Sequence, residues 1–415
     1  MSGPLEGVKV VELGMWVAGP AAGGILADWG ADVIKLEPPG IGDPARTYQA
    51  LFGEMMPDNP VFEMDNRSKR SVVVDLRRPE GQALAMELLE DADVFVTNLR
   101  QSALERWALD PETVLERCPR LVYQLITGYG MDGPDAHRPA YDIGGFWARS
   151  GIASLLRTPD GPLPFQRGGM GDHPTGSSAA GAVCAALFNR ERTGKGQLVS
   201  TSLVRQGIYS VGFDVSITLG WGAHIGIGRR EEMGNPSMNN YVAGDDRAFW
   251  LIGQEGERHW PPLARVVGHP EWLTDERFAT PMARRQNAAE LVGLLDEIFA
   301  TKTLDEWAEV FDTEPDMFWA PVNTIDDVLV DPQVHAAGAF VSVPDADGGS
   351  ELRVASPSDF YGTPWEPRGP APRLGEHTLE VLEELGRSED DVAALTAAGI
   401  VGPEVLTAER VEGDA

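Results

Sequence analysis

The chain has 415 residues, of which 42% are apolar, and carries a formal net charge of −30 at neutral pH. This length and apolar content predict a globular protein with two domains and a large core. The charge argues against nucleic acid and anionic membranes as partners, because both are bound through basic surfaces. An anionic small molecule would have to bind through local arginines and backbone N–H groups.

The sequence carries no pattern typical of export, membrane insertion or metal binding. The first residues, M-S-G-P-L-E-G, lack a basic and then apolar leader, and no window approaches the roughly 20 apolar residues of a membrane span. The two cysteines, Cys118 and Cys184, are too few for a disulfide framework or a zinc site, and the histidines are scattered. We expect a cytoplasmic protein without a metal site.

The amino-terminal third alternates short β-branched runs with small-residue helices. V-K-V-V-E-L (8–13) predicts a buried strand, A-A-G-G-I-L-A-D-W-G (21–30) a helix and A-D-V-I-K-L-E (31–37) a second strand. The alternation continues with strand 71–76, helix 79–91, strand 92–98, helix 102–108, strand 121–127, helix 174–191 and strand 197–203. Short connections between such elements predict a doubly wound α/β sheet.

The rest of the chain suggests a second domain. Residues 1–215 are expected to form the first part of a large Rossmann-like domain, and the aperiodic stretch 216–245 a linker. Amphipathic helices and a strand indicate a smaller α+β domain at 246–325. Residues 330–415 are expected to return to the large domain, ending in a helix at 377–386 that packs on its sheet.

Two common site types are disfavoured. The first strand-to-helix turn reads G-M-W-V-A-G-P (14–20), which breaks the dinucleotide fingerprint, although Glu37 ends the second strand where a ribose-binding acid would lie. No G-x-S-x-G nucleophile elbow is present, which argues against a serine hydrolase.

The stretch R-G-G-M-G-D-H-P-T-G (167–176) holds the most distinctive acid. Asp172 lies at a helix start, where the structural interpretation is a helix cap. Gly168, Gly169 and Gly171 remove side chains from its approach, so a ligand carbonyl could reach backbone amides as at an oxyanion site. A helix amino terminus favours an ionised acid, so we expect Asp172 to be a permanently charged nucleophile for an acyl group.

Several blocks of the sequence resemble the class III CoA-transferase family, also called the CaiB/BaiF family. They are P-L-E-G-V-K-V-V-E-L-G with L-A-D-W-G-A-D-V-I-K-L-E-P-P-G-I-G-D-P-A-R, then N-R-S-K-R-S-V-V-V-D-L-R-R-P-E-G, A-D-V-F-V-T-N-L-R, I-T-G-Y-G-M-D-G-P, G-D-H-P-T-G and L-G-E-H-T. The resemblance covers nearly the whole chain. It implies a Rossmann-like large domain made from both chain ends, a smaller domain and an interlocked homodimer.

The resemblance also implies a reaction. Asp172 would attack a donor acyl-CoA to give an aspartyl-acyl anhydride and then an aspartyl-CoA thioester, from which a second carboxylic acid takes the CoA. Coenzyme A would be a substrate, with no tightly bound cofactor. By the same resemblance the CoA-binding positions are Val17, Arg46, Arg70, Asn98, Arg106 and Tyr129. Val17 and Thr127 depart from the Gln and Lys that some transferases carry there.

Two alternatives remain at this point. Racemases of the same fold carry a His before Asp-Ile, but this chain has P-A-Y-D-I, with Tyr141 in place of the His and with Asp142 expected to be structural. A CoA-binding paralogue without turnover is the second alternative. The residues Trp147, Trp221, Met233 and Met238 suggest an apolar acyl pocket, or else ordinary packing.

Overall fold

The computed structural model describes residues 3–48, 59–224, 226, 228–345 and 348–402. The described residues form two compact units. The large unit is drawn from residues 1–153, 165–221 and 335–415, and the small unit from residues 154–164 and 222–334.

The strands and helices alternate along most of the chain. The strands are β1 Lys9–Leu13, β2 Asp32–Glu37, β3 Arg70–Val73, β4 Val94–Thr97, β5 Val122–Thr127, β6 Gln197–Ser202, β7 Met238–Val242, β8 Ala248–Ile252, β9 Trp319–Pro321, β10 Phe340–Pro344 and β11 Ser350–Val354. The α-helices are α1 Ala18–Asp28, α2 Pro60–Asn66, α3 Pro79–Glu90, α4 Gln101–Arg106, α5 Pro111–Arg117, α6 Ile152–Leu155, α7 Asp172–Thr193, α8 Leu203–Ser210, α9 Gly212–Trp221, α10 Gly256–Val266, α11 Pro281–Gln286, α12 Ala288–Phe299, α13 Leu304–Phe311, α14 Ile325–Val330, α15 Pro332–Ala336, α16 Thr378–Glu384 and α17 Glu389–Ala397.

The large unit is built on one six-stranded sheet of order β3-β2-β1-β4-β5-β6, and all neighbouring strands in it are parallel. This confirms the predicted doubly wound sheet. The strand order reverses between β1 and β4, so their connecting loops leave in opposite directions at the carboxyl ends of these two strands. In such sheets this point opens a crevice in which ligands bind.

The sheet carries an apolar layer on each face, because successive side chains of a strand point to opposite sides. In β1, Val11 and Leu13 join one buried cluster with α3 and α16, whereas Val10 joins the other with α1 and α7. The β-branched runs therefore read as buried strands because both faces of this sheet are covered.

Two predicted boundaries are wrong. Strand β3 ends at Val73, three residues before the predicted end, because Val74 bridges to Val401 and the Asp75 N–H donates to Ile400 O. Residues 216–245 are not a simple linker, because α9 runs to Trp221 and β7 pairs antiparallel with β8 in the small unit. The alternation of buried and exposed side chains in Met238–Val242 explains this strand.

The carboxyl-terminal segment contacts the third strand of the sheet. The His377 N–H donates to Ser71 O at 3.0 Å, and Thr378 Oγ1 accepts from the Val73 N–H at 3.1 Å, which docks α16 beside β3. Among the described helices, none is both long and apolar enough to cross a membrane. Within the described ranges, no group of three or more His, Cys, Asp and Glu side chains is placed to hold a metal ion.

A fully buried ionic network ties β1 to the strand and helix beside it. Glu12 Oε1 lies 2.7 Å from Lys35 Nζ, and its Oε2 lies 2.6 Å from Lys69 Nζ. Lys35 also donates to Gly14 O, and Lys69 to Pro20 O. Buried charges are tolerated only when they are paired and hydrogen-bonded, so this network holds the loop between β1 and α1.

We predict that Glu12→Gln lowers the free energy of unfolding by about 3–5 kcal/mol, because it leaves the buried ammonium group of Lys69 without its carboxylate and that of Lys35 with Asp43 alone. Urea unfolding followed by fluorescence measures the change. Asp91→Asn is the matched control, since its partner Lys9 also lies in β1 but the pair is exposed. Such pairs contribute under about 1 kcal/mol, so equal losses in both variants would contradict the role of the network.

Candidate active site

The loop after β1 lies where the strand order of the sheet reverses, and side chains from two other segments fix its backbone. Asn98, just after β4, accepts from the Met15 N–H at 2.9 Å and donates to Met15 O at 2.7 Å. The Trp16 N–H donates to Asp43 Oδ1 at 2.9 Å, and Trp16 has a left-handed φ of 66°. Asn98 therefore fixes the backbone of the loop that contains Val17.

Asp172 is the first residue of the 22-residue helix α7. Gly171 is the N-cap, and no side chain caps this helix end, so the structure does not support the capping interpretation of Asp172. The helix packs closely on α1, where a Cβ at Gly176 would lie 2.8 Å from the Cβ of Ala21. The small residues that follow Asp172 thus allow α7 to lie close to α1, and this packing places the acid at the carboxyl end of the sheet.

The glycines before Asp172 have different surroundings. Gly168 has open space where a side chain would lie, and Gly169 has a left-handed φ of 72°. Gly171 has no room for a side chain, since a Cβ there would lie 2.2 Å from Asp142 Oδ1. Its N–H donates to Asp142 Oδ2 at 3.1 Å, so this amide is not free for an oxyanion. The prediction of an oxyanion site therefore does not hold for the amide of Gly171. The same hydrogen bond gives Asp142 the kind of structural contact that was expected of it.

The charge of Asp172 differs from the expectation. Burial, reinforced by the neighbouring carboxylate of Asp142, raises the pKa of Asp172 to about 7, against the opposing charge of His173. The prediction of a permanently ionised acid is therefore wrong. A helix terminus supplies only about half a unit charge, which loss of water and a nearby like charge outweigh.

Two cavities meet at Asp172, and Trp16, Val17, Tyr141 and Asp142 line both of them. Cavity A has a volume of about 270 Å³ and extends along the ends of β4 and β5, where Asn98, Arg100 and Thr127 line it. Cavity B has a volume of about 330 Å³ and is bordered by Tyr48, Ile143 and Gly168. The acid is thus reachable from two sides within the large unit.

Cavity B has an aromatic wall. The ring of Trp16 lies 5.7 Å from that of Tyr48 and 6.0 Å from that of Tyr141, the latter edge to face. This wall differs from the suggested acyl pocket. Trp147 is buried in a small core with Phe146 and Leu203, and none of Trp147, Trp221, Met233 and Met238 lines either cavity in the described structure.

Arg46 and Arg70 contact carboxylates and lie outside both cavities. Arg46 forms two bonds with Glu37, at 2.7 and 2.6 Å, and donates to Pro372 O. Arg70 contacts Asp32 at 2.5 Å and is also bonded to Glu380 and Glu384. These carboxylates occupy part of each guanidinium group, and the CoA-binding role expected of the two arginines remains a prediction.

The remaining predicted positions divide into two groups. Val17 and Asn98 line cavity A, as their predicted contact with CoA requires. Arg106 is exposed at the end of α4, and Tyr129 packs under Arg149, with the guanidinium carbon 5.3 Å from the ring centre. Neither Arg106 nor Tyr129 lines the cavities, so their roles remain predictions.

Sequence reasoning missed the cations of cavity A. Arg100, His137 and Arg138 line it and are exposed, and Arg138 lies 3.7 Å from Asp135. Arg100 directly follows the T-N-L block that contains Asn98, so its position after β4 was the available signal. His137 and Arg138 lie in an irregular loop, where no periodic pattern could point to a cavity.

Comparison with known proteins adds independent findings. The family model described as "CoA-transferase family III" matches residues 5–378. The (R)-2-hydroxy-4-methylpentanoate CoA-transferase of Clostridioides difficile is 32% identical over 390 residues, covering 94% of this chain and 97% of the relative. The cinnamoyl-CoA:phenyllactate CoA-transferase of Clostridium sporogenes is also 32% identical, covering 94% of this chain and 95% of the relative.

A third relative and a solved structure extend the comparison. The succinate–glutarate CoA-transferase of Agrobacterium fabrum is 33% identical, covering 92% of this chain and 96% of the relative. The crystal structure of a CaiB/BaiF family protein from Brucella suis superposes with a TM-score of 0.79 at 32% identity, covering 93% of this chain and all of that one. The similarity therefore spans both the sheet and the segment that carries Asp172.

We predict that Asp172→Asn stabilises the fold at pH 8 but not at pH 4. The pKa of Asp172 is about 7 in the folded chain and about 3.9 when unfolded, so ionisation costs folding free energy as the pH rises between these values. The Asn variant should gain about 1–3 kcal/mol at pH 8, measured by urea unfolding.

The control for this prediction is Asp135→Asn. A hydrogen bond from Arg149 lowers the pKa of Asp135, so this carboxylate stabilises rather than destabilises the fold when it is charged. No gain is expected from its replacement at pH 8. Equal stability of Asp172→Asn and the unmodified chain at both pH values would show that Asp172 ionises freely.

Proposed function

Because the chain belongs to CoA-transferase family III and is a CoA-transferase, we propose that Asp172 is the nucleophile of the transfer. The observation that carries this proposal is the position of Asp172, which lines both cavities A and B. Asp142 lines both as well, but one of its oxygens accepts from the Gly171 N–H. Both cavities share Asp172 and the rings of Trp16 and Tyr141, whereas Arg100 and Arg138 line only cavity A and Tyr48 lines only cavity B. A thioester likewise has two parts, a CoA arm and an acyl group.

The transfer requires four acyl substitutions, two at the carbonyl of Asp172 and one at the carbonyl of each substrate acid. An Asp172 oxygen attacks the donor thioester carbonyl, the carbon–sulfur bond breaks and CoA leaves as a thiolate, giving a mixed anhydride. The thiolate then attacks the aspartyl carbonyl and expels the donor carboxylate, leaving an aspartyl-CoA thioester. The acceptor carboxylate repeats the two exchanges in reverse, which returns Asp172 and releases the new acyl-CoA. No proton is gained or lost overall.

The two cavities suit the two parts of the substrate. We assign the CoA phosphates to cavity A, where Arg100 and Arg138 are the proposed phosphate partners. We assign the acyl group to cavity B, where Trp16, Tyr48 and Tyr141 offer apolar ring surface. The relatives act on acids as different as phenyllactate and glutarate, so the acid is best sought with a broad panel.

We predict that Asp172→Ala abolishes CoA transfer while CoA binding remains. Acyl-CoA donors are paired with a panel of carboxylic acids, and the products are separated by chromatography. Hydroxylamine added during turnover should convert the activated carboxyl into a hydroxamate, which mass spectrometry would locate at residue 172. This follows because both proposed intermediates carry an acylated or thioesterified Asp172 carbonyl.

The matched control is Asp91→Asn, since Asp91 is an exposed acid that pairs with Lys9 and lines neither cavity. It should keep full activity and show no trapped hydroxamate at residue 91. An Asp172→Ala variant that retains most of its transfer activity would exclude Asp172 as the nucleophile.

We further propose that the chain forms the interlocked homodimer implied by its family. The supporting observation is a set of large apolar side chains that are exposed on two consecutive helices. Tyr209 of α8 is 82% exposed, and Phe213 and Leu219 of α9 are 77% and 82% exposed. Exposed apolar groups of this size and proximity are typical of protein–protein interfaces.

The dimer is expected to resist dilution, because linked chains cannot separate without unfolding. Light scattering should give twice the chain mass at all concentrations tested. Tagged and untagged dimers mixed in the folded state should not exchange chains, but should do so after joint unfolding and refolding. A monomer at low concentration would overturn the dimer, and exchange without unfolding would overturn the linkage.

A further inference from the structure

His173 follows the proposed nucleophile directly and is fixed by contacts on two sides. Its Nε2 lies 3.2 Å from Oδ1 of Asp65, a residue of α2 whose side chain is 4% exposed. Its ring packs against Gly169, where a Cβ would lie 2.7 Å from the ring. Its backbone N–H donates to Gly169 O at 3.0 Å. The imidazole therefore has one defined position beside Asp172.

The charges around Asp172 are mostly of its own sign. Asp142, which precedes the short helix Ile143–Ala148, and Asp65 of α2 both oppose its ionisation, and His173 is the group whose charge favours it. Tyr48 and Tyr141 line cavity B together with Asp172. Arg167 lines cavity B, and the cations of cavity A line the other side, but these side chains are exposed and hence screened by solvent.

His173 also faces a third cavity, of about 360 Å³, which Asp172 does not line. Its other walls include Ile25 and Met64, and the charged residues Arg67 and Asp28 that border it are paired with each other at 2.5 Å. About a third of the His173 side chain is exposed. His173 can therefore exchange a proton without passing through the substrate cavities.

We propose that His173 is a positioning residue whose imidazolium, held by Asp65, favours the charged form of the Asp172 carboxylate against the two neighbouring acids. This inference rests on the proposed function of Asp172. Burial disfavours the imidazolium, but the contact of its Nε2 with the Asp65 carboxylate and the charges of Asp65 and Asp172 outweigh this effect and raise the pKa of His173. His173 therefore keeps its positive charge to a higher pH than a free imidazole does.

The test is the pH profile of the transfer rate at limiting acyl-CoA. Transfer requires ionised Asp172, so the rate falls as the pH drops through the pKa of this acid. His173→Gln keeps a polar contact with Asp65 but removes the charge. The acid limb, which is the part of the profile where the rate falls with decreasing pH, should move up by about one pH unit. The transfer rate should be about tenfold lower at pH 6, and this difference should shrink toward pH 9. His173→Lys restores a cation and should move the limb back.

Ser177→Ala is the control, because Ser177 lines the same third cavity without carrying charge, and its limb should not move. An unmoved limb in His173→Gln, or an equal loss at every pH, would overturn the inference. If His173→Gln does not fold, Asp65→Asn tests the pair instead: the His173 Cε1 proton signal should titrate at lower pH, and an unchanged titration would overturn the inference. An unmodified chain that transfers no CoA would instead overturn the proposed function.

Discussion

The ionic network around Glu12 is the constraint on which the site depends. One carboxylate, without contact with water, pairs with Lys35 and Lys69. Lys35 also donates to Gly14 O in the loop between β1 and α1, and Lys69 donates to Pro20 O in the first turn of α1. Lys35 also lies 2.9 Å from Asp43, whose other oxygen accepts from the Trp16 N–H. Burial outweighs the attraction of Glu12 and lowers the pKa of Lys69 to about 8, which shows how little water reaches this network. The loop that lines both cavities is thus set by charges beneath it.

The burial that raises the pKa of Asp172 suits the role of nucleophile that we propose for it. An acid that is buried beside Asp142 holds its proton more tightly than an exposed acid, and its anion is correspondingly more basic. The fold accommodates this buried acid because α7 packs tightly on α1 through small residues, and because Asp142 fixes the preceding amide. The buried charge at Asp172 lowers the stability of the fold, and the packing of α7 along α1 offsets this loss, as is common at functional sites.

The sequence predicted most of the fold because the information was local. Runs such as V-K-V-V-E-L specify buried strands by composition, and short connections between strands and helices permit few topologies. The site could be predicted only in part. Asp172 and Asn98 belong to blocks that point to their positions, whereas the partners of Arg46 and Arg70 depend on where distant segments meet. Arg70, for example, contacts Glu380 and Glu384 of α16, more than 300 positions later. The permanent charge expected of Asp172 failed for the same reason, since burial and Asp142 are tertiary features.

The chain has a net charge of −30, yet the CoA substrate of a CoA-transferase carries several phosphates. The side chains that contact this substrate must therefore outweigh the repulsion by the rest of the protein. At physiological ionic strength, exposed charges more than about 8 Å apart are largely screened, so most of the acidic surface does not act on a ligand inside the cavity. The groups that do act are those in contact with it. Cavity A is lined by Arg100 and Arg138 as well as by the carboxylates of Asp142 and Asp172. Contacts with these side chains, rather than the net charge of the chain, would therefore decide how a ligand that carries both phosphates and a carbonyl group is oriented there.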